Sequence, residues 1–211
     1  MSTSLPSDGP AHRDDDMPVR VHLARAAEEA EQLDPAVDGL RPLARALVGG
    51  PVRAWLLLGR PMGHALHPLL TDVPMGAWMS ASVLDLSGPG ARPAARRLVG
   101  LGILAAVPTA LTGLAEWSRT SRRDARVGVL HAAGNSVGLL LATASWMARR
   151  REHHVLGAAL GLGVLGAVGA SGFLGAHMSI ARSVGTRDPE FDDRGAGAVL
   201  GEAEAGSAHL R

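Results

Sequence analysis

Four stretches of this chain, Pro68 to Leu86, Leu98 to Trp117, Val127 to Met147 and Val155 to Ile180, each approach the ~20 apolar residues that a membrane-crossing helix needs. They constrain the fold more than any other feature, because a backbone in hydrocarbon must satisfy its own hydrogen bonds. The basic residues respect the same pattern. All 21 are arginine and they fall outside the four windows, as expected where lipid excludes charge. The intervening segments SGPGARPAARR, SRTSRRDAR and ARRREHH are short and carry Gly, Pro or Arg, so consecutive windows should be antiparallel neighbours. The expected fold is all-α: an integral membrane, antiparallel four-helix bundle over residues 63–183.

Local signals refine that scheme. Pro68 suits a first helical position, whereas Pro74 and Pro108 fall inside spans, where each should kink the helix and free a carbonyl. The fourth window carries Gly157, Gly161, Gly163, Gly166, Gly169, Gly172 and Gly175, a pattern that lets a helix approach its neighbours closely. Trp117 and Trp146 close the second and third windows, where aromatic anchors meet the headgroups. Residues 1–62 form a polar and amphipathic N-terminal segment. In it, Met17 to Leu33 reads as an amphipathic helix, and Leu40 to Leu58 mixes arginine with Leu, Val and Trp like a helix lying on the interface. Packing of these helices on the bundle fits the same pattern. Residues 184–211 read as a disordered polar tail.

Composition excludes several classes of function. A hydrophobic share of 46% against 19% charged is on the apolar side for a soluble protein. The net charge of +1 argues against a nucleic-acid partner. The absence of cysteine removes disulfides, thiolate ligands, iron–sulfur clusters and cysteine nucleophiles together. Residues 1–16 are polar, with Asp14 to Asp16 in series and no apolar core, so no cleavable secretory signal is expected. Insertion into a bacterial plasma membrane would rely on the first internal span. Arginines near the spans number nine on the side of the second connection and six on the other, a small bias that favours both termini and that side in the cytoplasm.

Antiparallel topology sorts the polar residues by leaflet. His64, His67 and Asp72 open the first span, Glu116 closes the second, His131 and Asn135 open the third, and His177 closes the fourth, so all share one face. Asp85 alone lies at the opposite end. Thr109, Thr112, Gly113 and Glu116 form one helical stripe, and His131, Gly134, Asn135 and Gly138 another, and such stripes face a bundle interior. Neutral imidazoles with a carboxylate are what haem b or a non-haem Fe, Cu or Zn ion uses. His131 and His177 are the candidate axial pair, with His64 and His67 as further cofactor ligands. For a non-haem metal the candidate set is His64, His67, Asp72, Glu116, His131 and His177. The alternative is that these groups only hydrogen-bond lipid or backbone and fix helix register, in a non-catalytic anchor or interaction subunit. Nothing defines a catalytic set, so enzyme status stays open.

Three strings mimic known motifs in the wrong context. GLGVLG at Gly161 to Gly166 copies a dinucleotide fingerprint but follows no strand. GNSVG at Gly134 to Gly138 copies a nucleophile elbow but sits mid-helix. Glu152, His153 and His154 follow three arginines and read as loop.

GHALHPLLTDVPMGAWMSASVLDL, then RLVGLGILAAVPTALTGLAEW, VGVLHAAGNSVGLLLATASWMARR and GFLGAHMSIARSVGT together resemble a bacterial membrane family known as domain of unknown function 2231. The resemblance covers about Arg53 to Thr186 and is most specific at HPLLTDVPMG. It lends no established activity. Its motif positions here are His64, His67, Pro68, Asp72, Pro74, Asp85, His131 and His177. In actinobacterial members this region is often followed by a Rieske-type [2Fe–2S] domain, which implies electron-transfer company. This cysteine-free sequence carries no such domain, so the resemblance leaves three outcomes open: a redox role kept without it, a separate Rieske- or ferredoxin-type partner, or loss of that function.

Overall fold

The computed structural model describes residues 18–191, which are helix and connection apart from one antiparallel bridge between His64 and Arg187. The acidic run Asp14 to Asp16 and the tail beyond residue 191 lie outside the described residues. The α-helices are α1 (Val19–Glu29), α2 (Asp34–Leu47), α3 (Pro51–Leu57), α4 (His67–Asp85), α5 (Arg92–Trp117), α6 (Arg122–Arg150) and α7 (His154–Ala176), the last running into a π-helical turn at His177–Ala181. Pro35, Pro51, Pro68 and Pro93 occupy first-turn positions of α2 to α5, where a missing N–H has no partner to lose. Ser121 caps α6, its Oγ accepting from Asp124 N at 3.2 Å.

The long helices overrun their apolar windows. α5 and α6 begin inside the arginine-rich connections, and α6 continues to Arg150. Alanine and arginine are strong helix formers, and a long arginine side chain reaches water from a helix end. Pro74 and Pro108 both lie within continuous helices. The carbonyl that Pro74 deprives of its donor, Leu70 O, accepts Thr109 Oγ1 of α5 at 3.1 Å.

Among the described residues three helices are long and apolar enough to cross a membrane: Pro89–Trp117, Arg122–Arg150 and His154–Ala181. The expected fourth span forms a helix in the expected place, but α4 does not reach that standard. Its 19 residues include Asp72, Asp85, Pro68, Pro74, Ser80 and Ser82, which dilute the apolar run. Trp117 also departs from expectation. Instead of anchoring at a headgroup layer it is buried beneath α2, with Nε1–H donating to Ala125 O at 3.0 Å and the Arg41 guanidinium 5.6 Å from its ring.

α4 packs on α5 and α6 on α7 as antiparallel hairpins, and the hairpins join through α5 against α6 and α4 against α7. They are copies of one pattern. His67 of α4 donates Nδ1–H to Thr109 O of α5 at 2.9 Å, and His131 of α6 donates Nδ1–H to Ser171 O of α7 at 2.8 Å. Four residues after each acceptor stands a glycine under the ring. A methyl on Gly113 would meet His67 Cε1 at 2.7 Å, and one on Gly175 would meet His131 Cε1 at 2.8 Å. His67 and His131 are 64 residues apart, as are Asp85 and Arg149, and each pair meets across the centre. An approximate twofold axis thus relates the hairpins, with imidazoles at one end and an ion pair at the other.

Between those ends the interior is built from small residues and one large one. Trp78 packs with Ala81, Ala95, Val99, Ala142, Val164 and Val168, and lies so close to Gly102 that no side chain fits there. The N-terminal helices divide in role. α2 docks on α5 and α6, burying Val37 and Ala44, whereas α3 leaves Val52, Trp55 and Leu56 exposed, as an interfacial helix would. The segment expected to be a disordered tail starts with bonded residues: Ala65 N donates to Thr186 O at 2.7 Å and Asp188 N to Gly63 O at 2.7 Å.

Candidate functional site

The imidazole end brings polar groups from all four long helices together. His67 comes from α4, Thr109 and Gly113 from α5, His131 and Asn135 from α6, Ser171 and Gly175 from α7. The two rings stand nearly perpendicular with centroids 6.4 Å apart. Because a carbonyl only accepts, the bonds to Thr109 O and Ser171 O fix both histidines with the proton on Nδ1 and leave each Nε2 as a lone pair. His131 Nε2 accepts from Asn135 Nδ2 at 2.9 Å. Ser171 Oγ closes the other side of that ring, 3.1 Å from Nδ1, and donates to His131 O at 2.7 Å. Thr109 plays the matching part for the first hairpin through Leu70 O.

The remaining candidates are placed elsewhere. His177 donates Nε2–H to Glu28 Oε1 of α1 at 2.8 Å, so it joins a charged cluster with Arg182 and Asp124 rather than the His131 ring. The expected axial pair is therefore not assembled: both Nε2 atoms are already bonded. Glu116 is buried and its Oε2 accepts from Thr186 N and Oγ1, both at 2.9 Å, tying α5 to the segment after α7. Its Oε1 is buried with no hydrogen-bond partner. His64 is exposed and bonds locally, Nδ1–H to Ala65 O at 3.1 Å. Asp72 is exposed on the outer face of α4. Among the described residues no group of three or more His, Cys, Asp or Glu side chains is arranged to hold a metal ion.

At the other end of the axis Arg149 donates both guanidinium nitrogens to Asp85, at 2.5 Å each, and Nε–H to Ser145 Oγ at 3.2 Å. The Arg149 side chain is 1% exposed and that of Asp85 12%. Sequence reading assigned Arg149 to a loop and left Asp85 without a partner. The signal was present: an ionisable residue at that depth requires an opposite charge on a neighbouring helix. Outside the spans, α2 is held by charge. The Arg126 guanidinium hydrogen-bonded to Asp34 lowers that carboxyl below its usual range, and Arg122 does the same to Asp38.

GLGVLG lies inside α7 and Ser136 inside α6, where neither motif can work, and His154, the first residue of α7, bonds Glu152 of the preceding turn at 2.8 Å.

The molecule is thus all-helical over the described residues, with three helices long and apolar enough to cross a bilayer. The chain belongs to the family described as predicted membrane protein, DUF2231, which matches residues 63–188. No curated protein and no solved structure matches it.

Proposed function

We propose that this is a multi-pass plasma-membrane protein with four antiparallel spans, α4 to α7, acting as a membrane anchor or interaction subunit rather than as a catalyst. One observation carries the reading. The polar groups that look like a site are engaged in bonds between elements of the fold: His67 to Thr109, His131 to Ser171, Asp85 to Arg149 and His177 to Glu28 join helices, and Glu116 to Thr186 ties α5 to the segment after α7. Groups bonded in this way fix which helix lies beside which and at what register. α4 is less apolar than the others, and as a span it would rely on α5 and α7 for cover. The arginine bias favours both termini in the cytoplasm, and a reporter fused to the C-terminus should be active there.

A second reading keeps a cofactor. In its favour, an Nδ1–H held by a backbone carbonyl is the arrangement that orients a histidine for metal binding through Nε2, and both His67 and His131 have it. Haem held between His131 and His177 would require Asn135 and Glu28 to release the two Nε2 atoms. A single Fe, Cu or Zn ion between His67 and His131 would require Asn135 to turn away. A separate Rieske- or ferredoxin-type partner belongs to this reading alone. One experiment separates the two: the visible spectrum and metal content of the detergent-purified protein and of its His67→Ala and His131→Ala variants. Lower melting temperatures with no chromophore or metal to lose support the anchor. A stoichiometric metal or haem that disappears in either variant overturns it.

A further inference from the structure

A cleft of 680 Å³ opens between α1 and the C-terminal end of α7. Its apolar wall runs along one face of α7 through Phe173, Ala176 and Ile180 and is completed by Val21 and Ala24 of α1. Ile180 is 81% exposed, and Phe173 and Val21 are exposed as well, so the protein itself leaves this surface uncovered. Arginines rim it: Arg20 and Arg25 from α1, Arg123 from the first turn of α6, and Arg182 beyond the π-helical turn. The carboxylates in the lining, Glu28 and Glu29, number half as many as the arginines. Glu28 is taken by His177 and Arg182, and Arg182 by Asp124 at 2.9 Å. Among the described residues Arg20 and Arg123 have no ion-pair or hydrogen-bond partner.

We infer that this cleft binds one anionic phospholipid, its headgroup phosphate between Arg20 and Arg123 and one acyl chain along Phe173, Ala176 and Ile180. Charge complementarity selects the anion, because the lining is left with unpaired positive charge after its internal pairs are formed. Position selects a lipid over a soluble anion. The cleft lies where the helix His154–Ala181 would leave the hydrocarbon, with an uncharged wall on the membrane side and arginines on the water side. α1 is the second wall, so bound lipid would hold this amphipathic helix against α6 and α7.

The inference rests on the reading that α5 to α7 cross a bilayer. Full-length protein is purified in detergent, exposed to equimolar phosphatidylglycerol and phosphatidylcholine, and its retained lipid is measured by native mass spectrometry. One phosphatidylglycerol per chain should be retained, and Arg20→Ala/Arg123→Ala should weaken its retention about tenfold while helix content by circular dichroism is unchanged. Ala176→Phe, which fills the apolar wall and removes no charge, should lower retention too. Equal retention of phosphatidylcholine, or an unchanged double variant, overturns the inference and leaves the membrane reading intact. So does competition by inorganic phosphate at concentrations matching the lipid, which would mark a site for a free anion. A dimer that dissociates in the double variant without any change in bound lipid would instead assign the cleft to a second copy. A chain that stays soluble and monomeric without detergent overturns the membrane reading itself.

Discussion

The two ends of the central axis are equivalent by position and opposite in chemistry. At one end His67 and His131 meet as two neutral rings, each bonded within its own hairpin and touching the other only edge to face. At the other, Asp85 and Arg149 meet as a buried ion pair that directly ties hairpin to hairpin. The same geometry therefore does two jobs. The imidazole end seals each hairpin, and the charged end joins the two. Two like residues on a twofold axis cannot form a salt bridge with each other, so this ion pair requires the two hairpins to differ at the charged end.

This contrast is strongest under removal of one charge. Arg149→Met leaves the Asp85 carboxylate buried and alone and should lower stability by about 3–5 kcal/mol in thermal or denaturant unfolding in detergent. Asp85→Leu with Arg149→Met should recover most of that loss. If the single variant is no worse than the double, the pair does not join the hairpins.

A smaller effect is expected from the glycines that seat the rings. A methyl at Gly175 must displace the His131 ring and its bond to Ser171 O, a loss of about 1–3 kcal/mol, and Gly113→Ala should do the same to His67. Equal losses at the two sites would sharpen the case for equivalent hairpins, whereas a neutral Gly113→Ala would break it. Smaller again is the coupling between the rings themselves. A double-mutant cycle of His67→Ala and His131→Ala should show an interaction of about 0.5–1.5 kcal/mol, well below that of the ion pair.

The mildest effect concerns α2, which charge holds from outside. Asp34 and Asp38 have carboxyls lowered by Arg126 and Arg122, so their contribution is present above the ordinary value of 3.8 and is lost as the pH falls below it. Fluorescence of Trp117, in a variant with Trp55, Trp78 and Trp146 replaced by Phe, should report α2 leaving its site only under such acid conditions. Release near neutral pH would show that these pairs do not hold α2.

The sequence made α5, α6 and α7 legible because an apolar run of that length has few other uses, and the short arginine-bearing turns dictated antiparallel neighbours. It also placed His67 and His131 at one level, where their ring centroids stand 6.4 Å apart. The repeat was hidden because equivalent positions carry different residues: Thr71 matches Asn135, Trp78 matches Ala142, and Asp85 matches Arg149. What survives in the sequence is a histidine four residues before a hydrogen-bonding side chain, and a threonine or serine four residues before a glycine. Those fragments gain meaning only when both helices are in place.

The sequence by itself determined the helical class and the positions of the long helices, because these follow from hydropathy and from helix and turn signals, all local properties. Tertiary structure decided the partners. Whether His177 turns to His131 or to Glu28, whether Arg149 is a loop residue or the counter-ion of Asp85, and whether Trp117 meets lipid or α2 depend on helix rotation and on distances of a few ångströms. Those are set by packing of small residues such as Gly102, Gly113 and Gly175 against large rings, a fit that no single helix records in its own sequence.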